Sequence, residues 1–234
     1  MNVDFSPIAT SQILPCTESV GYRDPAAVFH EGSVYCFYSY VEKGADGWTY
    51  FCLGVSISED LVHWRGPYLL TEADRRFNYS SPGCVIRVGD EFVMCIQTYP
   101  TLNNAPDQVC GDQTSRLYLI RSKDLLHWSE PELMRVHGDD VAEEDMGRMI
   151  DPYIVRDIHD EGRYLVFYKQ HPRGGPTPRR IPATRWSTCA IPPRGICSIS
   201  NTRAMWNAAR MSACCPGRRV IVFTTRRRTA WPAC

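Results

Sequence analysis

The amino-acid sequence predicts an all-β fold: a partial β-propeller of about two and a half four-stranded blades, followed by an irregular tail rich in Arg, Pro and Cys. A strand–turn–strand pattern recurs three times within residues 1–170, and segments of matching sequence close the first two repeats. An abrupt change of composition after residue 170 marks the end of the predicted domain.

Each repeat begins with an apolar strand that contains a proline, turns at a glycine and returns as an aromatic-rich strand, which is typical of a β-hairpin. The three starts are Asp24-Pro25, Ser81-Pro82 and Asp151-Pro152. Pro25 and Pro82 are 57 residues apart, and so are Gly32 and Gly89. The first two hairpins therefore match without a gap.

The pattern S-x-D-L-x-H-W closes the first two repeats, at residues 58–64 and 122–128. A predicted third strand precedes each closing segment, at 51–57 and 117–121, and a further apolar segment follows each. Four strands at a period near 60 residues indicate propeller blades. A β-sandwich does not require such a repeat, and a doubly wound α/β fold needs helical periodicity that the sequence lacks. We expect a long loop over 99–115 and a short helix or turn within 138–149.

The chain has a formal net charge of zero, but it consists of two parts of unequal length whose net charges have opposite signs. Residues 1–170 carry −12, whereas residues 171–234 carry +12 from 12 arginines and contain no Asp, Glu or Lys. This composition predicts a basic tail of low order. We interpret it as an out-of-frame translation that begins near codon 170 of a truncated gene, with a nucleic-acid-binding arm as the alternative.

The beginning of the sequence has neither the basic start nor the apolar run of a signal peptide, and no segment approaches the roughly 20 apolar residues of a membrane helix. We therefore expect a cytoplasmic protein that binds neither membranes nor nucleic acid. Cysteines such as Cys36, Cys52 and Cys95 fall within apolar strand patterns and are predicted to be structural thiols. We expect no metal and no cofactor.

Asp24 and Asp151 occupy equivalent positions, immediately before the predicted first strands of the first and third blades. The following proline biases each aspartate toward extended geometry and suits an unpaired strand edge. The innermost strand of a blade has such an edge facing the central channel, so we expect the two carboxylates to converge there. Converging carboxylates suit general acid/base chemistry. The alternative is that each Asp-Pro pair only starts a turn.

Four further residues are candidates for substrate binding. Arg23, beside Asp24, is a candidate to orient that carboxylate or to bind a hydroxyl, or else is a solvated arginine. Tyr22, Tyr79 and Tyr99 lie near strand starts, where they would stack on a sugar ring or else belong to the core. The histidines of the repeated closing segments are predicted to be structural.

The segments Y-R-D-P-A-A-V-F at 22–29, S-P-G-C-V-I-R-V-G-D-E-F at 81–92 and I-D-P-Y-I-V at 150–155 resemble glycoside hydrolase family 43. Relatives in family 32 share the five-bladed propeller layout. The resemblance covers about residues 15–170 and implies an inverting glycosidase that acts on an oligo- or polysaccharide. It implies that Asp24 is the general base that activates water, and that Asp151 tunes the pKa and orientation of the general acid.

This chain departs from the family pattern in one respect that matters for catalysis. The general acid of family 43 is a fourth-blade glutamate, and no acidic residue follows Glu161 here. We therefore expect the chain as written to hydrolyse nothing measurable. A non-catalytic carbohydrate-binding propeller and an inactive gene product are the alternatives, and arabinose, xylose, galactose and fructose all remain open as the sugar.

Overall fold

The computed structural model describes residues 14–103, 105–106, 111–136, 139–158, 162–171 and 185–191. All of them belong to the first of two compact units, Met1–Ile199, and the second unit is Ser200–Cys234. Most of the predicted tail, 171–234, therefore lies outside the described residues.

Eleven strands form three antiparallel sheets in the described part of the chain. The first sheet has the order β1-β2-β3-β4, at Val20–His30, Ser33–Lys43, Thr49–Ser58 and Arg65–Leu69. The second has the order β5-β6-β7-β8, at Val85–Val88, Glu91–Gln97, Leu117–Ser122 and Glu132–Leu133. The third has the order β11-β10-β9, with β9 at Arg148–Arg156, β10 at Tyr164–His171 and β11 at Arg185–Ile191. The predicted all-β partial propeller is confirmed.

The hairpins form where the sequence places their turn residues. Glu31 and Gly32 join β1 to β2 with φ values of 48° and 83°, and His30 pairs directly with Ser33 across them. Positive φ at both central positions is what a two-residue turn needs to match the twist of the flanking strands, and glycine adopts it without a Cβ clash. The segment predicted as a short helix or turn contains a 3-10 helix at Glu143–Asp145.

Strand β11 lies beyond residue 170, within the segment for which the sequence predicts low order. Its backbone pairs antiparallel with β10 along seven residues, from Tyr164 opposite Ile191 to Gln170 opposite Arg185. The third sheet therefore continues across the point where the composition changes.

Strand β6 is buried on both faces, and its side chains alternate between two hydrophobic cores. Phe92, Met94 and Ile96 pack in a core shared with the first sheet. Val93 and Cys95 pack in a second core shared with the third sheet. Because successive residues of a strand point to opposite faces, one strand serves both blade–blade contacts. Each fully buried apolar side chain of this kind contributes about 1.5–3 kcal/mol.

The chain that leads into the second sheet packs closely against the third sheet at Gly83. A Cβ atom added to Gly83 would lie 1.6 Å from the carbonyl oxygen of Pro152. The neighbouring Cys84 completes this contact, since its Sγ atom accepts a hydrogen bond from the Ile154 N–H at 3.0 Å and donates to the Ile154 carbonyl at 3.1 Å. The backbone of β9 thus packs directly on the chain that leads into β5.

The repeated S-x-D-L-x-H-W segments adopt the same structure in both blades. In the second, the Asp124 carboxylate accepts hydrogen bonds from the backbone N–H groups of Leu126 and His127, and it also contacts the His127 ring. The Trp128 indole donates to the Leu125 carbonyl and packs edge-on against Phe37 of the first sheet. The segment around Asp60 has the equivalent carboxylate bonds.

The described residues contain no α-helix, and hence no helix that is long and apolar enough to span a membrane. The five described cysteines for which a state is assigned, Cys16, Cys36, Cys52, Cys84 and Cys95, are free thiols. Burial raises the pKa of Cys52 to about 11 and that of Cys95 well above its usual range. These two thiols are therefore protonated and inert at neutral pH.

We predict that Gly83→Ala destabilises the chain, because the new methyl group would overlap the Pro152 carbonyl. The free energy of unfolding should fall by about 3 kcal/mol. Gly21→Ala is the matched control, since a Cβ at Gly21 meets no atom within 4 Å, and it should stay within about 0.5 kcal/mol of the parent. Urea unfolding followed by circular dichroism measures both, and equal stabilities would contradict the close approach.

We also predict a loss of stability in acid from the two closing segments. The pKa of Asp60 is lowered chiefly by its hydrogen bond with the His63 side chain, and that of Asp124 chiefly by the His127 N–H. A depressed folded-state pKa gives stability that is present above the unfolded value, about 3.9, and is lost as the pH falls. The free energy of unfolding should therefore decline below about pH 4.

The double variant Asp60→Asn/Asp124→Asn should show a shallower decline over the same pH range. Asp90→Asn, at an exposed turn, is the control and should follow the parent. Thermal unfolding at a series of pH values distinguishes these outcomes. Parallel curves for parent and double variant would show that other groups control acid unfolding.

Candidate functional site

The residues before three prolines adopt left-handed backbone conformations: Asp24 in β1, Ser81 ahead of β5 and Asp151 in β9. The φ angles are 54° at Asp24, 47° at Ser81 and 54° at Asp151. In the first sheet the register between β1 and β2 shifts between Arg23 and Ala26, and the pairing of β9 with β10 shifts at the corresponding place. Each aspartate therefore lies in a β-bulge of an inner strand.

The prediction that the following proline keeps the two aspartates extended is wrong. In the first sheet, Asp24 and Pro25 together lie opposite the single residue Tyr38, and in the third sheet Asp151 and Pro152 lie opposite Tyr168. Because two residues face one, one residue of each pair must leave the extended backbone region. The aspartates also lie inside β1 and β9, whereas the sequence places them before the strands. A non-glycine residue at positive φ costs about 1–3 kcal/mol, so its surroundings must hold it there.

Hydrogen bonds between adjacent blades hold the bulges in this conformation. The Ser81 N–H donates to the Ser39 hydroxyl oxygen of the first sheet at 2.8 Å. The Asp151 N–H donates to the Gln97 side-chain carbonyl of the second sheet at 2.6 Å. In both cases the left-handed turn directs the amide away from its own ladder, and a side chain of the preceding sheet accepts it.

The Asp24 carboxylate is exposed and is oriented by two hydroxyl groups. Its Oδ2 atom accepts hydrogen bonds from the Ser39 hydroxyl at 3.1 Å and from the Ser81 hydroxyl at 3.0 Å. Both donors are buried, so the carboxylate is held from the protein side and remains open to solvent on its other side. Neutral donors leave its negative charge uncompensated.

The Asp151 carboxylate has a different environment, because its Oδ2 atom accepts a hydrogen bond from the Lys169 ammonium group. The two side chains are 38% and 36% exposed, so the pair lies partly in solvent. The two candidate carboxylates therefore differ in the charge of their partner: neutral hydroxyls contact Asp24, and a cation contacts Asp151.

The chain that leads into β5 and the last residue of β6 connect the two aspartates. Asp24 contacts the Ser81 side chain, Asp151 contacts the Gln97 side chain, and Ser80 pairs with Gln97 through two backbone hydrogen bonds of 2.9 and 3.0 Å. Asp24 thus contacts this stretch of chain through its carboxylate, whereas Asp151 contacts it through its backbone amide. The bulges occupy repeat-equivalent positions on either side of it.

The structure places the other predicted binding residues around these bulges and in the core. Arg23 is exposed, and its side chain forms no hydrogen bond or ion pair with the described residues. Tyr22 is half-buried, with its ring edge-on to Tyr38 at 5.2 Å and to Tyr40 at 5.8 Å. Burial raises the pKa of the Tyr22 hydroxyl.

Tyr79 and Tyr99 are half-buried among other aromatic and cationic side chains. The Tyr79 ring stacks on Phe77 at 5.4 Å and packs against the hydrophobic core, and burial raises its pKa. The Tyr99 ring lies 5.3 Å from Phe51 and has the Arg148 guanidinium 5.6 Å from its centroid. A stacking role for these tyrosines stays a prediction.

Three residues that contact the bulges escaped the sequence analysis. Ser39, Gln97 and Lys169 each end the apolar run of a return strand, in the sequences V-Y-C-F-Y-S, F-V-M-C-I-Q and Y-L-V-F-Y-K. The sequence did contain a signal for these residues: in each of the three return strands, a polar residue follows five apolar ones. The positions are equivalent in register, since each lies opposite the residue that precedes a bulge.

Arg116 fixes the segment that leads into β9, and the sequence analysis did not identify it either. It is 3% exposed, and its guanidinium donates to the backbone carbonyls of Glu143, Gly147, Gln113 and Ser115. Burial lowers its pKa from the usual range. The chain from 143 to 147 leads into β9, so Arg116 holds the segment that precedes the strand of Asp151.

The described residues contain no group of three or more His, Cys, Asp or Glu side chains arranged to hold a metal ion. Five acidic residues lie between 139 and 145, all with exposed side chains, and three of them form the 3-10 helix Glu143–Asp145. Each of the two aspartate bulges instead presents one carboxylate, which contacts hydroxyl groups at Asp24 and an ammonium group at Asp151.

No family model and no curated protein sequence matches this chain. Two solved structures have similar folds. One is a family 117 glycoside hydrolase from the marine bacterium Zobellia galactanivorans, 14% identical with a TM-score of 0.51, for which the match covers 74% of this chain and 52% of that one. The other is an N-acetylgalactosamine deacetylase from F. plautii in complex with blood group B trisaccharide, 13% identical with a TM-score of 0.50. That match covers 76% of this chain and 51% of the deacetylase.

These similarities, at 13% and 14% identity, establish the fold. The class of structure is a partial β-propeller, a fold that the chain shares with these two proteins. The chain spans about half the length of both structures.

We predict that Ser39→Ala destabilises the chain by about 1–3 kcal/mol, because it leaves the buried Ser81 N–H without its acceptor. Ser80→Ala is the matched control: the Ser80 hydroxyl is equally buried but has no hydrogen-bond partner among the described residues, so its loss should be neutral or stabilising. Chemical unfolding measures both free energies. Equal losses would indicate a packing effect and contradict the inter-blade bond.

Proposed function

We propose that this face of the propeller is a carbohydrate site of the glycoside-hydrolase type, similar to that of family 43. The observation that supports the proposal best is the pair of carboxylates at repeat-equivalent bulges of the first and third blades. Hydroxyl-bonded Asp24 suits the general base, because it is exposed and its charge is uncompensated. Ion-paired Asp151 suits a residue that orients another group.

Glycoside hydrolysis by inversion needs a base that activates water and an acid that protonates the leaving oxygen, with about 6.5–9.5 Å between their carboxyl groups. In this proposal Asp24 takes a proton from water while its Oδ2 atom stays anchored to Ser39 and Ser81. The acid would be a fourth-blade glutamate, and no acidic residue follows Glu161. The chain therefore holds the base and the orienting residue of the mechanism without its acid.

Carbohydrate binding without turnover is the second candidate function, and the missing acid favours it for this chain. Ionised carboxylates accept hydrogen bonds from sugar hydroxyls as well as from water. The deacetylase that shares the fold binds an oligosaccharide, blood group B trisaccharide, in its solved structure. We propose an oligo- or polysaccharide as the ligand in either case.

We predict measurable binding of at least one p-nitrophenyl glycoside from a panel of arabinofuranoside, xyloside and galactoside. Asp24→Asn and Asp151→Asn should each weaken that binding about tenfold or more, since a hydrogen bond to a charged group contributes about 1.5–3 kcal/mol. Saturation-transfer NMR and titration measure the affinities. Asp90→Asn, at an exposed turn, is the control and should bind as the parent does.

The same panel tests catalysis, because released p-nitrophenol is detected by its absorbance. We expect no turnover above the uncatalysed rate from this chain. Turnover that disappears in Asp24→Asn would overturn that expectation and identify an active hydrolase. Binding that none of the aspartate variants weakens would place the sugar elsewhere and contradict the proposed site.

A further inference from the structure

Lys169 occupies, in the third sheet, the position that Ser39 and Gln97 occupy in the first two. Each lies on the return strand directly opposite the residue before a bulge, with Ser39 opposite Arg23 and Lys169 opposite Ile150. Ser39 and Gln97 both accept the amide N–H of the bulge residue in the next sheet. An ammonium group has no lone pair and therefore cannot accept that bond.

Lys169 turns to the bulge of its own sheet instead, where it donates to the Asp151 carboxylate. The corresponding contact in the first sheet is the Ser39 hydroxyl on Asp24. Lys169 therefore keeps the contact within its own blade and lacks the acceptor function toward a following blade. Among the three equivalent positions, only this one carries a charge.

The ion pair is a poor stabiliser, because both partners are more than one-third exposed. Pairs of this kind contribute about 0–1 kcal/mol, because solvent screens them and two flexible side chains lose freedom. Its effect on the carboxylate is more specific. The ammonium fixes one oxygen of Asp151 and turns an isolated negative charge into a dipole, while Asp24 keeps its full charge.

We propose that Lys169 is a positioning residue for Asp151, holding its carboxylate in a fixed orientation and presenting further N–H donors to a sugar hydroxyl beside it. This inference rests on the proposed carbohydrate site. An ammonium group has three donors, and its contact with Asp151 uses one of them. Asp151 then acts through the orientation of its carboxylate.

Competitive acylation of lysines with acetic anhydride, read out by peptide mass spectrometry, tests the ion pair without any sugar. Lys123, on the exposed closing segment of the second blade, serves as the internal reference. Asp151→Asn should raise the reactivity of Lys169 relative to Lys123 roughly two- to fivefold, the factor expected for a partly exposed pair. Asp24→Asn should leave that ratio unchanged, and an unchanged ratio in Asp151→Asn would overturn the proposal.

The second arm measures affinity for the p-nitrophenyl glycoside that the parent binds most tightly. Lys169→Met should weaken binding at least as much as Asp151→Asn does, and Lys169→Arg should restore most of it, because a guanidinium also donates to the carboxylate. Parent-like binding by Lys169→Met, when Asp151→Asn binds weakly, would overturn the positioning role.

The two arms separate failure of this inference from failure of the proposed function. If acylation of Lys169 responds to Asp151→Asn while no aspartate variant alters sugar binding, the ion pair holds and the carbohydrate site is wrong. If sugar binding depends on both aspartates but Lys169 acylation is unaffected, the site holds and the inference about Lys169 fails. If no glycoside binds, the acylation ratio alone decides on the ion pair.

Discussion

The left-handed residue before each inner-strand proline is the constraint on which this structure depends. Proline removes one donor from the ladder, and the bulge turns the amide before it sideways, toward the adjacent sheet. A buried N–H must find an acceptor, so the preceding sheet has to supply one, as Ser39 does for Ser81 and Gln97 for Asp151. At Asp151 the same bulge therefore presents a carboxylate and connects the third sheet to the second.

Packing reinforces this arrangement on both sides of the second blade. Strand β6 contributes alternate side chains to two cores, and Gly83 lets the Pro152 carbonyl approach to a distance that any side chain would prevent. The two kinds of contact act on the same pair of sheets. Hydrophobic burial favours packing of one sheet on the next but is not directional. The hydrogen bonds donated by the backbone amides at the bulges are directional, and they fix the position of one blade against the next.

The sequence predicted the strands and their order well, because period-two patterns and turn glycines are local signals. It also identified Asp24 and Asp151 as repeat-equivalent positions, which the matching bulges confirm, whereas their catalytic roles stay a prediction. It missed their backbone conformation, because the rule for residues before proline describes isolated dipeptides, whereas a bulge in a paired ladder overrides it. It missed Lys169 because that contact joins residues 18 apart across a register shift.

Repetition explains how two similar aspartates come to differ in chemistry. A propeller builds each blade from the same backbone plan, so the bulges at Asp24 and Asp151 are nearly identical in φ. What distinguishes them is one residue on each return strand, a hydroxyl in the first blade and an ammonium in the third. The same residue also decides whether the next blade finds a hydrogen-bond acceptor. Replacing a serine at this position by a lysine therefore changes both the partner of the aspartate carboxylate and the contact between two blades.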